Sequence, residues 1–298
     1  MDVIDAFRAL PWFFVGTALV VGLMVGSFLN VVIHRLPKMM ENEWRQQCLE
    51  FLHPEDAEQT AKKAGPNPPP RYNLVVPRSA CPACGHKISA IENVPVISYI
   101  FLRGKCSACR TPISIRYPIV ELLTGIACAY TAARFGVTWT TAFAILYIWA
   151  LVALAFIDAD TTLLPDDITL PLLWLGLLVN LGGIFTDLPS AMLGAVAGYL
   201  ILWAVFWGFK LLTGKEGMGY GDFKLLAAIG AWLGWQMLPL VILMSAVVGT
   251  VVGLAGILLQ GRERGAKLPF GPYLAAAGFI ALFWGKALNT WYLGRMPT

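Results

Sequence analysis

The 298-residue chain is too apolar and too poor in charge for an ordinary soluble protein. Hydrophobic residues make up 57% of it and charged residues only 13%, whereas soluble domains carry about 25% charged residues. Its net charge of +4 is small, yet twelve of its 22 Lys and Arg residues lie between Arg35 and Arg116. Because basic residues gather on the cytoplasmic side of membrane proteins, this pattern indicates membrane orientation and no nucleic-acid partner. Composition therefore excludes a soluble fold and predicts an all-α polytopic protein in the lipid bilayer.

Eight stretches of the chain are candidates for transmembrane helices, each of which needs about 20 mainly apolar residues. The first segment is expected to stay in the protein as a transmembrane helix. The residues before it are acidic, and its apolar stretch is longer than that of a cleavable signal peptide. The sixth is short and could join the seventh near Pro239, so seven spans are the alternative to eight. The predicted spans are residues 11–33, 118–135, 139–157, 168–186, 190–212, 223–236, 238–260 and 270–292.

The long polar stretch at residues 34–117 is expected to be a cytoplasmic loop inserted between the first two spans. It separates a first span, residues 1–33, from a seven-span catalytic region, residues 118–298. By alternation the chain starts outside, and about 18 of the 22 basic residues then face the cytoplasm. The other loops predicted on that side are residues 158–167, 213–222 and 261–269.

Residues 38–72 of this loop are expected to be a flexible or partly helical insertion that ends in a stiff proline-rich linker. Residues 73–117 contain more Cys, Pro and apolar residues and are predicted to fold as a small module. The module carries two C-x2-C pairs, which are Cys81 with Cys84 and Cys106 with Cys109.

Two C-x2-C pairs at this spacing predict a tetrahedral zinc site. Four Cys ligands would close the site, so the metal would be structural, and a module this small has too little core to fold easily without it. Two disulfides are disfavoured because the cytoplasm is reducing, and four reduced thiols are the other alternative. His86 could in principle replace one ligand.

Two acidic residues stand at the ends of predicted spans, where a charge is costly and therefore a candidate for function. Asp158 ends the third span and Asp222 begins the sixth, so both lie at the predicted cytoplasmic boundary. Gly219 and Gly221 allow a tight turn before Asp222, and a helix start favours an anion there. If the two carboxylates meet, they share one proton, so that one can accept a proton from water while the other polarises a carbonyl. The pattern predicts an intramembrane-type aspartic peptidase.

Other interpretations of these acidic residues remain open. Asp222 alone could cap a helix. A Mg²⁺-dependent membrane phosphotransferase acting on a lipid phosphate could use the acidic string Asp158–Asp167, with Lys215 and Lys224 as a clamp. A proton-coupled transporter is the third alternative, although its carboxylates are expected near the midplane and not at one face. Loop, capping or orienting roles suit Asp160, Asp166 and Asp167.

Motifs spread over nearly the whole chain occur together in the order typical of one family. They are Gly26–Pro37, Pro77–His86, both C-x2-C pairs, Ile115–Glu121, Asp158–Asp166, Gly219–Asp222 with Lys224, and Pro269–Pro272. In these motifs the chain resembles the bacterial type IV prepilin peptidase (prepilin leader peptidase/N-methyltransferase) family. The GxGD element alone is shared with other intramembrane aspartic peptidases, such as preflagellin peptidases, whereas the cysteine module points to the bacterial bifunctional branch.

The resemblance implies that Asp158 and Asp222 form the catalytic pair. This pair would cut the basic leader of type IV prepilins and type II secretion pseudopilins after a Gly, at the cytoplasmic face of the inner membrane. It also implies N-methylation of the new N-terminal residue with S-adenosylmethionine. No residue that binds this cofactor can be named, because the sequence lacks the glycine-rich strand-to-helix turn of a Rossmann-type site. Glu121 and Lys224 could tune the pair or bind substrate, and a structural role is the alternative.

Overall fold

The computed structural model describes residues 3–52, 72–215, 217–260 and 269–293. Over these ranges the chain is helical, with two isolated β-bridges and no β-strand, so the predicted all-α class is confirmed. The chain forms two compact units. One, called the cysteine unit below, is Leu19–Ile126, and the other, called the aspartate unit, is Met1–Ala18 together with Ala127–Thr298.

Five segments of the described chain are long and apolar enough to cross a membrane, which makes this a multi-pass membrane protein. They are Pro11–Leu52, Trp139–Thr161, Leu188–Thr213, Trp235–Gly256 and Gly271–Trp291. The α-helices are, in chain order, α1 (Val3–Ala9), α2 (Pro11–Leu52), α3 (Ile97–Phe101), α4 (Arg116–Phe135), α5 (Trp139–Thr161), α6 (Asp166–Leu181), α7 (Leu188–Thr213), α8 (Tyr220–Leu233), α9 (Leu238–Gln260) and α10 (Gly271–Leu293). Helices α4, α6 and α8 coincide with predicted spans but are not among the five, so a count of eight spans stays a prediction.

Helix α2 continues well beyond the predicted end of the first span at residue 33 and reaches Leu52. The residues after Pro37 include Met, Glu, Gln, Arg and Leu, which have high helix propensity, and Glu41 and Arg45 form an ion pair one turn apart at 3.8 Å. Pro37 removes one helical hydrogen bond but does not end the helix. Residues 38–52 of the predicted insertion are therefore helical, while residues 53–71 and most of the predicted loop 261–269 lie outside the described residues.

Helices α7 and α8 approach each other at glycine residues. A Cβ atom at Gly194 would collide with the backbone of Gly230, and a Cβ at Gly230 would collide with that of Gly194. Four residues along α7, a Cβ at Gly198 would lie 2.7 Å from the carbonyl oxygen of Leu226. Small residues at this spacing let helix backbones come together in membrane proteins. The contact fixes the position of α8, which carries Asp222.

The core of the aspartate unit is built around α8, whose residues Leu225–Leu233 are all buried. The indole N–H of Trp232 donates to the carbonyl oxygen of Leu172 on α6 at 2.7 Å, and Gly176 leaves room for the ring. The side chain of Asn180 donates to two carbonyl oxygens at the C-terminal end of α8, at 2.8 and 3.0 Å. Because buried carbonyl groups need such donors, Asn180 completes this end of the helix.

Candidate functional site

Asp158 lies inside the last turns of α5, because this helix continues to Thr161 instead of ending at the predicted residue 157. The helix ends at Thr162, which has a left-handed φ of 53° and donates its N–H to the Asp158 carbonyl oxygen. The Asp158 side chain is only 4% exposed. Its Oδ2 accepts a hydrogen bond of 2.8 Å from the N–H of Gly271, the first residue of α10. A buried carboxylate needs such a donor.

Asp222 is the third residue of α8, as predicted for a residue at a helix start. Its Oδ2 accepts the N–H of Gly219, the residue that precedes the helix, at 3.2 Å. This is the acidic half of a capping box. The side chain is 5% exposed, and its Oδ1 is buried without a hydrogen-bond partner among the described residues. One oxygen is thus anchored, and the other has no protein hydrogen bond among the described residues.

The aspartate unit brings Asp158 and Asp222 together. Asp158 lies near enough to Asp222 for direct electrostatic repulsion between two ionised carboxylates. Leu164, in the turn after α5, packs on Gly221, where an added Cβ would lie 2.6 Å from the Cβ of Leu164. Close packing of this turn therefore requires glycine immediately before Asp222. In general, two carboxyl groups close enough to repel each other favour sharing one proton, and such a pair combines an acid with a base.

An ion pair joins α6 and α8 close to this turn. The ammonium group of Lys224 on α8 lies 2.7 Å from both carboxylate oxygens of Asp166, the first residue of α6. The sequence predicts a loop, capping or orienting role for Asp166, which stays a prediction; the structure pairs it with Lys224. Asp160 and Asp167 are exposed.

The four cysteines predicted to bind zinc lie together in the cysteine unit. All are free thiols, and their Sγ atoms lie within 4.8 Å of one another. The Sγ atoms of Cys81 and Cys109 are 3.8 Å apart, and those of Cys84 and Cys106 are 4.0 Å apart. A tetrahedral zinc with bonds of about 2.3 Å requires sulfur–sulfur distances of about 3.8 Å. The four sulfur atoms therefore fit a four-coordinate metal.

The two C-x2-C pairs share one backbone conformation. The N–H of Cys81 donates to the His86 carbonyl oxygen, and the N–H of Cys106 donates to that of Thr111, each at 2.9 Å. An isolated β-bridge flanks each pair. The two pairs therefore form a short structural repeat. Each thiol of one pair lies within 4.0 Å of a thiol of the other pair.

Glu92 connects the two C-x2-C pairs and was not anticipated from the sequence. The hydroxyl of Ser107, from the second pair, and the N–H of Ser89 donate to its carboxylate, and these bonds lower the pKa of Glu92 to about 2. His86 Nε2, beside the first pair, lies 3.2 Å from Glu92 Oε1. His86 therefore contacts Glu92, and the only cluster of possible metal ligands within the described residues is the four cysteines.

No residue is assigned to S-adenosylmethionine. The described residues contain no β-strand, and a Rossmann-type site needs a strand before its glycine-rich turn. Glu121 accepts the N–H of Val96 at 2.7 Å within the cysteine unit. This contact holds the backbone at the start of α3, and a role of Glu121 in tuning the aspartate pair or binding substrate stays a prediction.

Gly271 contacts Asp158, and this contact was not predicted from the sequence. Pro269–Pro272 was noticed only as a family motif, and neither its composition nor its spacing indicated that an N–H group there reaches Asp158. A Cβ atom added to Gly271 would lie 2.7 Å from Asp158 Oδ2. The only signal in the sequence was a glycine between two prolines at the start of an apolar span.

Comparison with known proteins gives matches along both units. Residues 20–135 match the family model described as the bacterial peptidase A24 N-terminal domain, and residues 145–254 match the type IV leader peptidase family. The first match contains the four cysteines, and the second contains both aspartates. No solved structure matches the chain.

Curated relatives resemble the chain over almost its whole length. A protein of Aeromonas hydrophila is 54% identical over 97% of each chain, and one of Pseudomonas aeruginosa is 52% identical over 98% of each. A protein of Burkholderia pseudomallei is 54% identical over 94% of this chain and 89% of its own. All three are named prepilin leader peptidase/N-methyltransferase. With paired buried aspartates, a four-cysteine cluster and these matches, the chain belongs to the type IV leader peptidase family.

Proposed function

We propose that this chain is an aspartic endopeptidase that removes the leader of type IV prepilins by means of Asp158 and Asp222. The observation that carries the proposal is the burial of both carboxyl groups within reach of each other's charge, each with one oxygen held by a glycine N–H. Membership of the family and the names of its relatives supply the substrate class. The same names support N-methylation of the new N-terminus as the second activity.

In the proposed cleavage step the pair holds one proton. The ionised carboxylate accepts a proton from a water molecule, which attacks the carbonyl carbon of the scissile bond, while the protonated carboxyl donates a hydrogen bond to the carbonyl oxygen. The tetrahedral intermediate then collapses, and the leaving amine takes a proton from the pair. The free Oδ1 of Asp222 supports this step, because it is buried and has no competing partner among the described residues.

For methylation, we propose S-adenosylmethionine as the donor. When bound, it would supply a methyl group to the amine that cleavage exposes. The amine must lose a proton before it can act as a nucleophile. The residues that bind the donor and accept this proton remain unassigned.

We propose that the four cysteines hold a structural zinc ion. Four thiolate ligands leave no position for water or substrate, so the metal would stabilise the module instead of catalysing a step. The hydroxyl of Thr111 hydrogen bonds to the sulfur of Cys109 at 3.1 Å and lowers the pKa of this thiol to about 6. This supports a thiolate ligand at Cys109, whereas the hydrogen bond to Cys109 and burial raise the pKa of Cys84 to about 12.

Charge distribution supports a location in the bacterial inner membrane with the aspartate pair at the cytoplasmic face. The polar stretch after the first span is rich in Lys and Arg, as cytoplasmic loops are. A prepilin would reach such a site by lateral diffusion within the bilayer, with its basic leader in the cytoplasm. Type II secretion pseudopilins have the same arrangement and are proposed as further substrates.

The two rival functions lack support in the geometry. A phosphotransferase needs a basic clamp for phosphate, but Lys224 lies against both oxygens of Asp166. It also needs acidic side chains arranged for Mg²⁺, and the only candidate metal cluster among the described residues is made of cysteines. A transporter would be expected to place its carboxylates near the midplane, whereas Asp158 lies in the last turns of α5 and Asp222 in the first turn of α8.

The decisive test of this function uses purified protein, a prepilin and S-adenosylmethionine labelled in its methyl group. We expect a size shift of the pilin and transfer of the label to the cleaved product, and no effect of Mg²⁺ chelation on either. Labelled product without cleavage, or loss of cleavage on Mg²⁺ removal, would contradict the proposal.

A further inference from the structure

The carboxylate of Asp158 is held by the first residue of α10, far from it in the sequence. The N–H of Gly271 donates to Asp158 Oδ2 at 2.8 Å, across 113 positions of the chain. The N–H groups in the first turn of a helix have no acceptor within that helix. The N–H of Gly271 is therefore free of competition from the helix and lies at the positive end of its dipole, which favours an anionic acceptor.

Only glycine fits between α10 and Asp158. A Cβ atom at position 271 would lie 2.7 Å from Oδ2, 3.0 Å from Cγ and 3.1 Å from Cβ of Asp158, whereas ordinary contacts start at 3.4 Å. All three close atoms belong to the same aspartate. The smallest possible side chain would thus push the carboxylate away from its place beside Asp222, and the hydrogen bond would be distorted with it.

We propose that Gly271 is a positioning residue for the cleavage reaction, which sets the place and rotation of the Asp158 carboxylate within the aspartate pair. This rests on the proposed role of Asp158. The absence of a side chain lets the backbone of α10 reach the carboxylate, and the N–H fixes Oδ2. Because both oxygens belong to one planar carboxylate, fixing Oδ2 also fixes the direction of Oδ1.

The test compares Gly271→Ala with Gly278→Ala in the full-length purified protein. Gly278 lies on the same helix, and a Cβ there would meet Tyr147 Oη at 2.8 Å and Ile229 Cδ1 at 3.0 Å. The Gly278→Ala change therefore introduces a comparable steric clash without contacting an aspartate. Since a misplacement of about 1 Å can cost about 100-fold in rate, Gly271→Ala should lower kcat by about 10- to 100-fold, leave KM within about twofold and preserve methylation of a precut pilin. Gly278→Ala should keep kcat.

Two results would overturn the role of Gly271. One is a Gly271→Ala protein that cleaves at the wild-type kcat; the other is equal loss of kcat in both glycine variants. Asp158→Asn, assayed in parallel, separates this proposal from the broader one. Cleavage by Asp158→Asn would refute the catalytic role of the aspartate pair. An inactive Asp158→Asn together with a fully active Gly271→Ala would refute only the positioning role of Gly271.

A second measurement does not depend on the folding of Gly271→Ala. Hydrogen exchange of the Gly271 amide is followed by NMR on protein with isotope-labelled glycine, in the wild type, in Asp158→Ala and in Asp222→Ala. We expect the amide to lose its protection in Asp158→Ala alone, because only Asp158 accepts its proton. Unchanged protection in Asp158→Ala would contradict the proposal.

Discussion

The side chains of Asp158 and Asp222 could be nominated from the sequence, but their environments could not. Each is an acidic residue at the end of an apolar segment, and burial of charge is too costly to occur without a purpose. The capping bond from Gly219 to Asp222 spans three residues, so local sequence patterns can anticipate it. The bond from Gly271 to Asp158 spans 113 residues and depends on how α10 packs against α5. A local pattern cannot contain that information.

The cysteines could also be nominated as metal ligands from their spacing alone, because two C-x2-C turns are sufficient for a tetrahedral set. Glu92 could not, since it contacts both pairs through a hydroxyl and an imidazole that become neighbours only after folding. From the sequence alone, an acidic residue in a polar loop is expected to be solvated. The structure shows instead that it links the two halves of the cysteine cluster.

The metal hypothesis predicts about one zinc ion per purified chain, since the four sulfur atoms form one four-coordinate site. The combined change Cys81→Ser and Cys84→Ser should remove the metal and lower the thermal stability of the protein. Elemental analysis and thermal unfolding measure the two effects. Cys48→Ser is the matched control, because Cys48 is an exposed free thiol outside the cluster. A stable wild type that contains no metal would refute the hypothesis.

At the scale of elements, most helices could be predicted and their ends could not. Apolar length predicted where helices occur, whereas the actual ends depend on propensity and capping. Helix α2 continues to Leu52 through charged helix formers, and α5 continues to Thr161 before a left-handed residue ends it. The second shift matters for function, because it moves Asp158 from a loop onto a helix. A helical backbone restricts the rotamers of this side chain more than a loop would.

The ion pair between Lys224 and Asp166 is expected to set the position of α8 relative to α6, and hence of Asp222. Lys224→Met and Asp166→Asn should each lower the cleavage rate about two- to fivefold, in keeping with about 0.4–1 kcal/mol for a partly exposed pair. If each group acts through the other, the double variant should lose no more than either single one. Cleavage kinetics of the three variants form the double-mutant cycle.

Lys215→Met serves as the control for this cycle, because Lys215 is an exposed cation close by in sequence and makes no ion pair with Asp166 within the described residues. Its cleavage rate should match the wild type. Additive losses in Lys224→Met with Asp166→Asn would show that the two groups act independently, which contradicts the positioning role of the pair.

At the scale of the whole molecule, composition predicts a polar domain at residues 34–117 between apolar ones, and these bounds stay a prediction beside the cysteine unit Leu19–Ile126. The polar, Cys-rich stretch contrasts with the apolar remainder, and the two family models divide the chain in nearly the same place. The number of spans could not be fixed in the same way. Helices α6 and α8 have 16 and 14 residues, fewer than the roughly 20 needed to cross a bilayer. Short helices that pack around buried side chains satisfy their polar groups within the protein.

The central claim is that Asp158 and Asp222 together cleave the peptide bond. The most direct measurement is leader cleavage by Asp158→Asn and Asp222→Asn, each purified and supplied with a prepilin and, separately, with a precut pilin plus labelled S-adenosylmethionine. Each variant should lose cleavage by at least about 1,000-fold, because the pair then lacks its shared proton chemistry, while methylation of the precut pilin shows that the protein is folded. Robust cleavage by either variant would contradict the account.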